Sequence, residues 1–148
     1  MKLGVIGQGF VGGAVYQGMK NYFDTYTFDI NGKCTETSLF NLLEKVDMTF
    51  LCLPTPMKRT GECDLSIVKN CLSQVDMIVK SLEKKDFIVI IKSTIPPGTT
   101  EMLRNRYPEL EICFVPEFLR AKYAREDFIY FHDSLVIGST NPEVCDEI

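Results

Sequence analysis

The sequence predicts an α/β fold in which a doubly wound parallel sheet of about six strands carries helices on both faces. Two observations lead to this prediction. Short apolar segments alternate with helix-like segments from the first residues onward. Several of the apolar segments are almost continuously hydrophobic, as in strands that are buried on both faces. Because parallel strands need crossover connections, this alternation favours a parallel sheet, and right-handed crossovers favour the strand order 3-2-1-4-5-6.

Six segments are predicted to be strands because they are short, apolar and rich in β-branched or aromatic residues. The clearest are the third and the fourth, whose sequences are MTFLCL and FIVII. In chain order, the predicted strands cover residues 2–6, 25–29, 48–53, 87–91, 112–115 and 134–137.

Helices are predicted between these strands from apolar residues that recur three and four positions apart. Thr37 or Ser38 is the expected N-cap of the second helix. The helix that Asp64 opens is the best defined, and its apolar residues are Leu65, Val68, Leu72, Val75, Val79 and Leu82. The predicted helices cover residues 10–22, 38–44, 64–82, 100–107 and 122–128, and another is expected to begin at residues 141–143.

The bulk properties restrict the class of protein. A chain of 148 residues fits one domain, expected to span residues 1–148. The net charge of −4 leaves no basic stripe for nucleic-acid phosphates, so no nucleic-acid partner is expected. No apolar segment is long enough to cross a bilayer, and residues 1–7 do not form a signal peptide. We therefore expect no membrane partner and a cytoplasmic location.

The six cysteines and the single histidine do not form a metal-binding pattern. No Cys-x-x-Cys pair is present, and a metal site needs two to four clustered ligands. Cys52, Cys71 and Cys113 lie within apolar patterns and are expected to be buried, reduced thiols. His132 is expected to be a solvated loop histidine.

A glycine motif follows the first predicted strand and opens the first helix, with the sequence Gly7-Gln8-Gly9-Phe10-Val11-Gly12. In this pattern the first glycine permits the tight turn, the second lets the backbone approach a pyrophosphate, and the third allows close helix–strand packing. The free N–H groups of the helix would face the phosphates. The motif, with Phe10 and Val11 included, therefore predicts a Rossmann-type dinucleotide site.

Asp29 supports this prediction, because it ends the second strand about twenty residues after Gly9. An acid at this position would accept hydrogen bonds from the adenosine ribose hydroxyls. The alternative is a solvated carboxylate at a strand end. Since Asp29 would repel a 2′-phosphate and no arginine occurs in residues 30–34, NAD is favoured over NADP. Lys33 could offset this repulsion or contact the adenosine side of the cofactor.

Polar or proline-rich elements follow several of the predicted strands. They are Asp29, Pro54-Thr55-Pro56, Ser93-Thr94 and Pro116-Glu117. Because parallel strands end at one edge of the sheet, these elements are expected to line one crevice and to bind the cofactor there. Thr55 and Thr94 could bond ribose, nicotinamide or a catalytic water, or only their local backbone. Glu117 could hold the cofactor or orient water for proton transfer, or be a surface glutamate.

Four segments in this order resemble the motifs of the UDP-glucose/GDP-mannose dehydrogenase family, and the resemblance extends from Met1 to Gly138. The segments are residues 7–12, 52–56, 92–100 and 116–120. The resemblance implies an NAD-dependent oxidoreductase that oxidises the 6-hydroxymethyl group of a nucleotide sugar, of the UDP-glucose or GDP-mannose type, to a carboxylate. It also implies catalytic roles for Thr94 and Glu117 and substrate contacts from Phe118, Leu119 and Arg120.

The chain also departs from this family. None of its cysteines has the Gly-Phe-Gly-Gly-x-Cys-Phe-Pro-Lys-Asp setting of the family's catalytic cysteine, and we expect the 148 residues to include neither the middle nor the C-terminal domain of the family. Residues 121–123 and Ser134 also differ from the family pattern. Turnover by this chain alone is therefore not expected, and a homodimer or a missing catalytic domain would have to complete the site.

Two alternatives remain open at this stage. The chain could be a stand-alone NAD-binding module, regulatory or vestigial, without catalysis. It could also be a β-hydroxyacid-type dehydrogenase, which shares the same opening fold. The Pro-Thr-Pro and Pro-Glu-Phe-Leu segments argue against the second alternative.

Overall fold

The computed structural model describes residues 1–130 and 135–148 and contains a five-stranded parallel sheet in this part of the chain. Its strands pair in the order β2-β1-β3-β4-β5. The predicted α/β fold, with a parallel sheet between two helical layers, is confirmed. The strands are β1 (Lys2–Ile6), β2 (Asp24–Phe28), β3 (Met48–Leu51), β4 (Phe87–Ile91) and β5 (Leu110–Phe114).

The helices begin and end close to the predicted positions. Ser38 is the N-cap of the second helix, because its side chain accepts a hydrogen bond from the Asn41 N–H at 3.1 Å. A short 3₁₀ turn at Ala121–Tyr123 precedes the fifth helix. The helices are α1 (Phe10–Met19), α2 (Leu39–Lys45), α3 (Ser66–Ser81), α4 (Thr99–Arg106), α5 (Ala124–Tyr130) and α6 (Pro142–Glu147).

Alternate residues of the strands face two separate apolar cores, one on each face of the sheet. In β4, Phe87, Val89 and Ile91 pack on one face with α2, α3 and α4. Ile88 and Ile90 pack on the other face with residues of α1 and α6. On that second face, α5 crosses α1 so closely that a Cβ on Gly18 would lie 2.4 Å from the Phe128 ring.

The predicted strand order is wrong in one respect. The order 3-2-1-4-5-6 places the third strand outside β2, whereas β3 lies between β1 and β4. All four residues of β3 are buried, while β2 has only Thr27 buried. A strand without exposed residues is stabilised most at the centre of the sheet, and the half-exposed strand therefore takes the edge.

The predicted sixth strand at residues 134–137 is not found. Ser134 and His132 lie outside the described residues, and residues 135–137 form no strand. Gly138 makes only an isolated antiparallel bridge to Phe114, with hydrogen bonds of 2.7 and 3.0 Å. Because the segment meets only the last residue of β5, it does not extend the parallel ladder. No helix among the described residues is long and apolar enough to cross a membrane.

Candidate functional site

The glycine turn joins β1 to α1 at the carboxyl edge of the sheet. Gly7 has a φ of +92°, and a Cβ at this position would lie 2.3 Å from the Cys52 carbonyl oxygen. A Cβ on Gly12 would lie 1.9 Å from the Gly7 carbonyl oxygen. Only glycine fits these two positions, because the turn packs against the Cys52 backbone at Gly7 and against α1 at Gly12.

Gly9 differs from the other two glycines of the motif, since a Cβ built on it has no heavy atom within 4 Å. It is the N-cap residue of α1, and no side chain caps this end of the helix. The first N–H groups of a helix have no intrahelical partners, and the helix dipole makes this end positive. This open cradle fits a pyrophosphate group, as a dinucleotide would require.

A cavity of about 850 Å³ extends from this turn along the carboxyl edge of the sheet. Its volume lies within the range of about 300–1,000 Å³ that ligand pockets usually have. Most residues that the sequence predicted for the site line this cavity, namely Gly7, Gly9, Phe10, Val11, Asp29, Pro54, Thr55, Ser93, Thr94, Glu117 and Leu119. Gly12, Lys33, Phe118 and Arg120 are not among the lining residues.

Asp29 connects the end of β2 to the glycine turn. Its Oδ2 accepts a hydrogen bond from the Gln8 N–H at 2.6 Å, and its Oδ1 accepts one from the Asn31 N–H at 2.7 Å. Each carboxylate oxygen can accept a further hydrogen bond, and Asp29 lines the cavity. Lys33 is exposed and lies outside the cavity lining.

Hydroxyl side chains join the ends of β3 and β4. The Ser93 Oγ accepts a hydrogen bond from the Leu53 N–H at 2.8 Å and donates to the Leu51 carbonyl oxygen at 3.2 Å. Thr55 donates its hydroxyl to the Thr94 carbonyl oxygen at 2.7 Å. Thr55 thus bonds a backbone group 39 residues away, so its contact is not the local backbone contact of the alternative interpretation. The side chain of Thr94 is exposed at the cavity.

Glu117 forms an ion pair with Lys92, a residue that sequence analysis did not single out. The Lys92 Nζ lies 2.9 Å from the Glu117 Oε2, and the two side chains are only 4% and 11% exposed. Glu117 Oε1 accepts a hydrogen bond from the Phe118 N–H at 3.0 Å. The sequence feature that could have indicated this pair is a lysine directly after the apolar strand FIVII. A cation at a buried strand end needs an anionic partner.

Cys52 lies beneath the glycine turn and close to this ion pair. Burial raises the pKa of its thiol to about 12, while Lys92 acts to lower it and Glu117 to raise it. Burial also raises the pKa values of Cys71 and Cys113 to about 12. Cys113 is fully buried and the other two are partly buried, and all six cysteines are free. Cys52 and Cys71 are thus protonated at neutral pH and poor nucleophiles.

The segment predicted to contact substrate divides into three different environments. Leu119 lines the cavity, whereas Phe118 is 74% exposed at the surface. Arg120 donates to both carboxylate oxygens of Asp127, with N–O distances of 3.0 and 2.6 Å, and its guanidinium also lies over the Tyr123 ring. These bonds and the Arg120 N–H lower the pKa of Asp127 to about 2. Arg120 thus anchors α5.

A stripe of α3 that was not predicted from the sequence also lines the cavity. It consists of Ile67, Asn70, Cys71 and Gln74. Their spacing of three and four residues places them on one helix face, beside the buried apolar stripe of the same helix. In the sequence, Asn70 and Gln74 lie next to the apolar positions of this helix. Polar residues on a solvent-exposed helix face have the same pattern, so the sequence does not identify them as cavity residues.

Comparison with known proteins identifies this arrangement. Residues 26–148 match the model of the UDP-glucose/GDP-mannose dehydrogenase family, NAD binding domain. A UDP-glucose 6-dehydrogenase of Rickettsia bellii is 37% identical over 112 residues, which cover 72% of this chain and 25% of that protein. The chain thus spans about a quarter of the length of such curated relatives.

Solved structures show the same fold over almost the whole chain. A UDP-glucose dehydrogenase from Pyrobaculum islandicum superposes with a TM-score of 0.87 at 25% identity, covering 99% of this chain and 42% of that one. A ternary complex of GDP-mannose dehydrogenase from Pseudomonas aeruginosa superposes with a TM-score of 0.83 at 19% identity, covering 99% and 43%. The glycine turn and Asp29 fit NAD, the cofactor of this domain. The chain belongs to the UDP-glucose/GDP-mannose dehydrogenase family and matches its NAD binding domain.

Proposed function

We propose that this chain supplies the NAD site and part of the active site of an enzyme that oxidises the 6-hydroxymethyl group of a nucleotide sugar to a carboxylate. The substrate would be of the UDP-glucose or GDP-mannose type, as the names of its relatives suggest. The observation that carries the proposal is that the glycine turn, Asp29, Thr94 and Glu117 line the same cavity at one edge of the sheet. In this proposal, residues 1–148 act as one NAD-binding domain.

The strand order supports an extended cofactor along this edge. The pyrophosphate would lie at the open N-terminus of α1 beside Gly9, with the adenosine ribose on Asp29 at the end of β2. The other half would then reach the ends of β3, β4 and β5, where Thr55, Thr94 and Glu117 lie. NAD supplies hydride acceptance when bound. Lys33, exposed beyond Asp29, would contact at most the outer side of the adenosine.

Glu117 is the best placed acid–base group for this chemistry. Its carboxylate is held by the Phe118 N–H and by Lys92 at the nicotinamide end of the cavity. There it would accept a proton from the substrate hydroxyl or from a water molecule that attacks the oxidised carbon. The exposed Thr94 side chain would orient that water, and Leu119 would begin the substrate-binding segment.

Turnover by these 148 residues alone is not part of the proposal. The two cysteines that line the cavity, Cys52 and Cys71, remain protonated at neutral pH because burial raises their pKa values to about 12. A further catalytic domain would have to provide the nucleophile. The second candidate function is an NAD-binding module without catalysis. The protonated cysteines and the Arg120–Asp127 ion pair are as consistent with this function as with the first.

The first experiment titrates the chain with NADH and follows the cofactor fluorescence. Asp29→Ala is expected to weaken binding by about tenfold or more, because each lost charge-assisted hydrogen bond contributes about 1.5–3 kcal/mol. Asp24→Ala is the matched control, since Asp24 is an exposed carboxylate at the opposite end of β2. Equal affinities of the two variants would contradict the ribose assignment.

The second experiment separates the two candidate functions. The chain is mixed with NAD⁺ and either UDP-glucose or GDP-mannose, and NADH absorbance is recorded together with the NADH affinity. Nucleotide sugar that alters NADH binding without sustained NADH production is the expected result for half of an active site. Sustained production would overturn the requirement for a further nucleophile, and no effect of either sugar would favour the non-catalytic module.

A further inference from the structure

The Lys92–Glu117 ion pair both lines the cavity and is nearly inaccessible to solvent. Both residues line the cavity, and both side chains are almost completely buried, with 2.9 Å between Nζ and Oε2. The approach does not meet hydrogen-bond geometry, so the buried Glu117 Oε2 has no hydrogen-bond partner among the described residues. The Lys92 Nζ also lies over the Phe128 ring, 5.9 Å from its centroid.

A buried ion pair of this kind rarely stabilises a fold better than apolar residues of the same size would. The sheet edge offers a functional explanation instead. Lys92 follows β4, Glu117 lies just beyond β5, and the strand order β2-β1-β3-β4-β5 puts both on the far side of the glycine turn from Asp29. If the proposed cofactor orientation holds, this is the nicotinamide end of the cavity.

The two redox states of the cofactor differ in charge at this end. The nicotinamide ring of NAD⁺ carries a positive charge, whereas that of NADH is neutral. An uncompensated carboxylate beside the ring would stabilise NAD⁺ selectively, because charges interact strongly where water is largely excluded. An uncompensated ammonium would have the opposite effect.

We propose that Lys92 is a charge-balancing residue, which cancels the field of Glu117 at the nicotinamide ring so that NAD⁺ and NADH bind with comparable affinity. This inference rests on the proposed function. It also gives the pair a role in that function, since two successive oxidations require NADH to leave and fresh NAD⁺ to bind. The Glu117 carboxylate can then take part in proton transfer without making the site bind one redox state of the cofactor much more tightly than the other.

The test measures the ratio of two dissociation constants, that of NADH divided by that of NAD⁺, by calorimetry at pH 8. Lys92→Met leaves Glu117 unbalanced and is expected to raise the ratio. Glu117→Gln leaves Lys92 unbalanced and is expected to lower it. Each change is expected to be about five- to thirtyfold, as for a unit charge several ångströms away in a partly screened site. The double variant is expected to restore the wild-type ratio.

Lys45→Met is the matched control. Lys45 pairs with the Glu36 carboxylate at 2.9 Å, and that glutamate is 8% exposed, but neither residue lines the cavity. This variant should leave the ratio unchanged. Unchanged ratios in Lys92→Met and Glu117→Gln, or shifts in the same direction, would overturn the inference while the binding of NADH itself still supports the proposed function.

A measurement on the wild-type chain covers the case in which a single variant fails to fold, since removal of one member of a buried pair is strongly destabilising. Benzamide adenine dinucleotide has a neutral ring of nearly the same shape as nicotinamide. A balanced site is expected to bind it within about threefold of NAD⁺. Discrimination greater than tenfold would overturn the inference, and a wild-type chain that binds no dinucleotide would overturn the proposed function as well.

Discussion

The two ends of the cavity are built in different ways. At the end proposed for the adenosine, here the adenosine end, backbone groups and missing side chains make the site. Gly7 allows the contact with the Cys52 carbonyl, Gly12 allows the contact between turn and helix, and Gly9 leaves the space beside it open. At the end proposed for the nicotinamide, here the nicotinamide end, side chains make the site through the Leu53–Ser93 bond, the Thr55–Thr94 bond and the Lys92–Glu117 ion pair. The three glycines of the first end lie close together in the sequence, and Asp29 joins them through the Gln8 N–H, 21 residues before it.

The second end depends on residues far apart in the chain. Thr55 and Thr94 are 39 residues apart, and Leu53 and Ser93 are 40 apart. These groups meet only when β3 and β4 are neighbours in the sheet. A substitution at the adenosine end should thus act through steric overlap, and one at the nicotinamide end through loss of a buried polar partner.

The largest effect is expected for Gly12→Ala, which breaks the adenosine end. The new Cβ would lie 1.9 Å from the Gly7 carbonyl oxygen, so α1 or the turn must move. We expect the free energy of unfolding to fall by about 2–4 kcal/mol, measured by urea denaturation. The control is Gly13→Ala, where a Cβ has no atom within 4 Å. It should gain up to about 1 kcal/mol from helix propensity.

Equal stability of the Gly12→Ala and Gly13→Ala variants would contradict this account of the turn. The two glycines are adjacent in α1 and differ mainly in what lies beside them. The pair therefore separates steric overlap from the general effect of alanine on a helix.

A smaller effect is expected for Ser93→Ala, which breaks the nicotinamide end. The substitution leaves the Leu53 N–H without its acceptor in a partly buried place. We expect the free energy of unfolding to fall by about 1–2 kcal/mol, and the affinity for NADH to fall because the ends of β3 and β4 separate. Ser81→Ala is the control, since the Ser81 hydroxyl bonds the Ile78 carbonyl at the exposed end of α3.

A loss of stability in Ser81→Ala as large as that in Ser93→Ala would show that the contact between the strands is not the cause. A stable Ser93→Ala variant with unchanged NADH affinity would show that the backbone alone holds the two strand ends together.

The smallest effect is expected from the acid titration of Asp127, which loosens the contact between Arg120 and α5 and leaves both ends of the cavity intact. The pKa of Asp127 is lowered from 3.8 to about 2, mainly by its hydrogen bonds from Arg120. Because the folded pKa is the lower one, the contribution of this pair to stability is complete above pH 3.8 and disappears as the pH falls through about 2.

The measurement is the NMR shift of the Arg120 backbone amide, which donates to the Asp127 Oδ2 at 2.9 Å. It should change with a midpoint near pH 2, and the change should be absent in Asp127→Asn. The Gly7 amide, bonded to the Phe28 carbonyl, should not follow this titration. An Arg120 amide that shifts with a midpoint near pH 4 would mean that the pair does not hold Asp127 ionised.

Much of the fold could be predicted because its signals are local. β1 and β4 were predicted with the bounds that the structure has, and the apolar stripe of α3 was predicted from its periodicity. The strand order was not predicted correctly, because the handedness of the crossovers leaves open on which side of β1 the third strand lies. The complete burial of β3 contained that information, since a strand without exposed residues favours the centre of the sheet.

The candidate site divides in the same way. The glycine turn and Asp29 could be predicted because a steric requirement and a twenty-residue spacing appear in the sequence itself. Lys92 could not be assigned, because a lysine after a strand identifies no partner until the fold brings Glu117 within 2.9 Å. The ion pair between Arg120 and Asp127, with Arg120 outside the cavity lining, could not be predicted from the sequence either.

By itself the sequence determined the α/β class, the dinucleotide turn and the family, since these depend on periodicity, on glycine sterics and on motifs within short segments. Only the tertiary structure decided the order of the strands, the partner of Glu117 and the role of Arg120. The physical reason is that a short-range rule acts on residues near each other in the chain. Ion pairs and strand neighbours depend instead on distances that exist only after the sheet has formed.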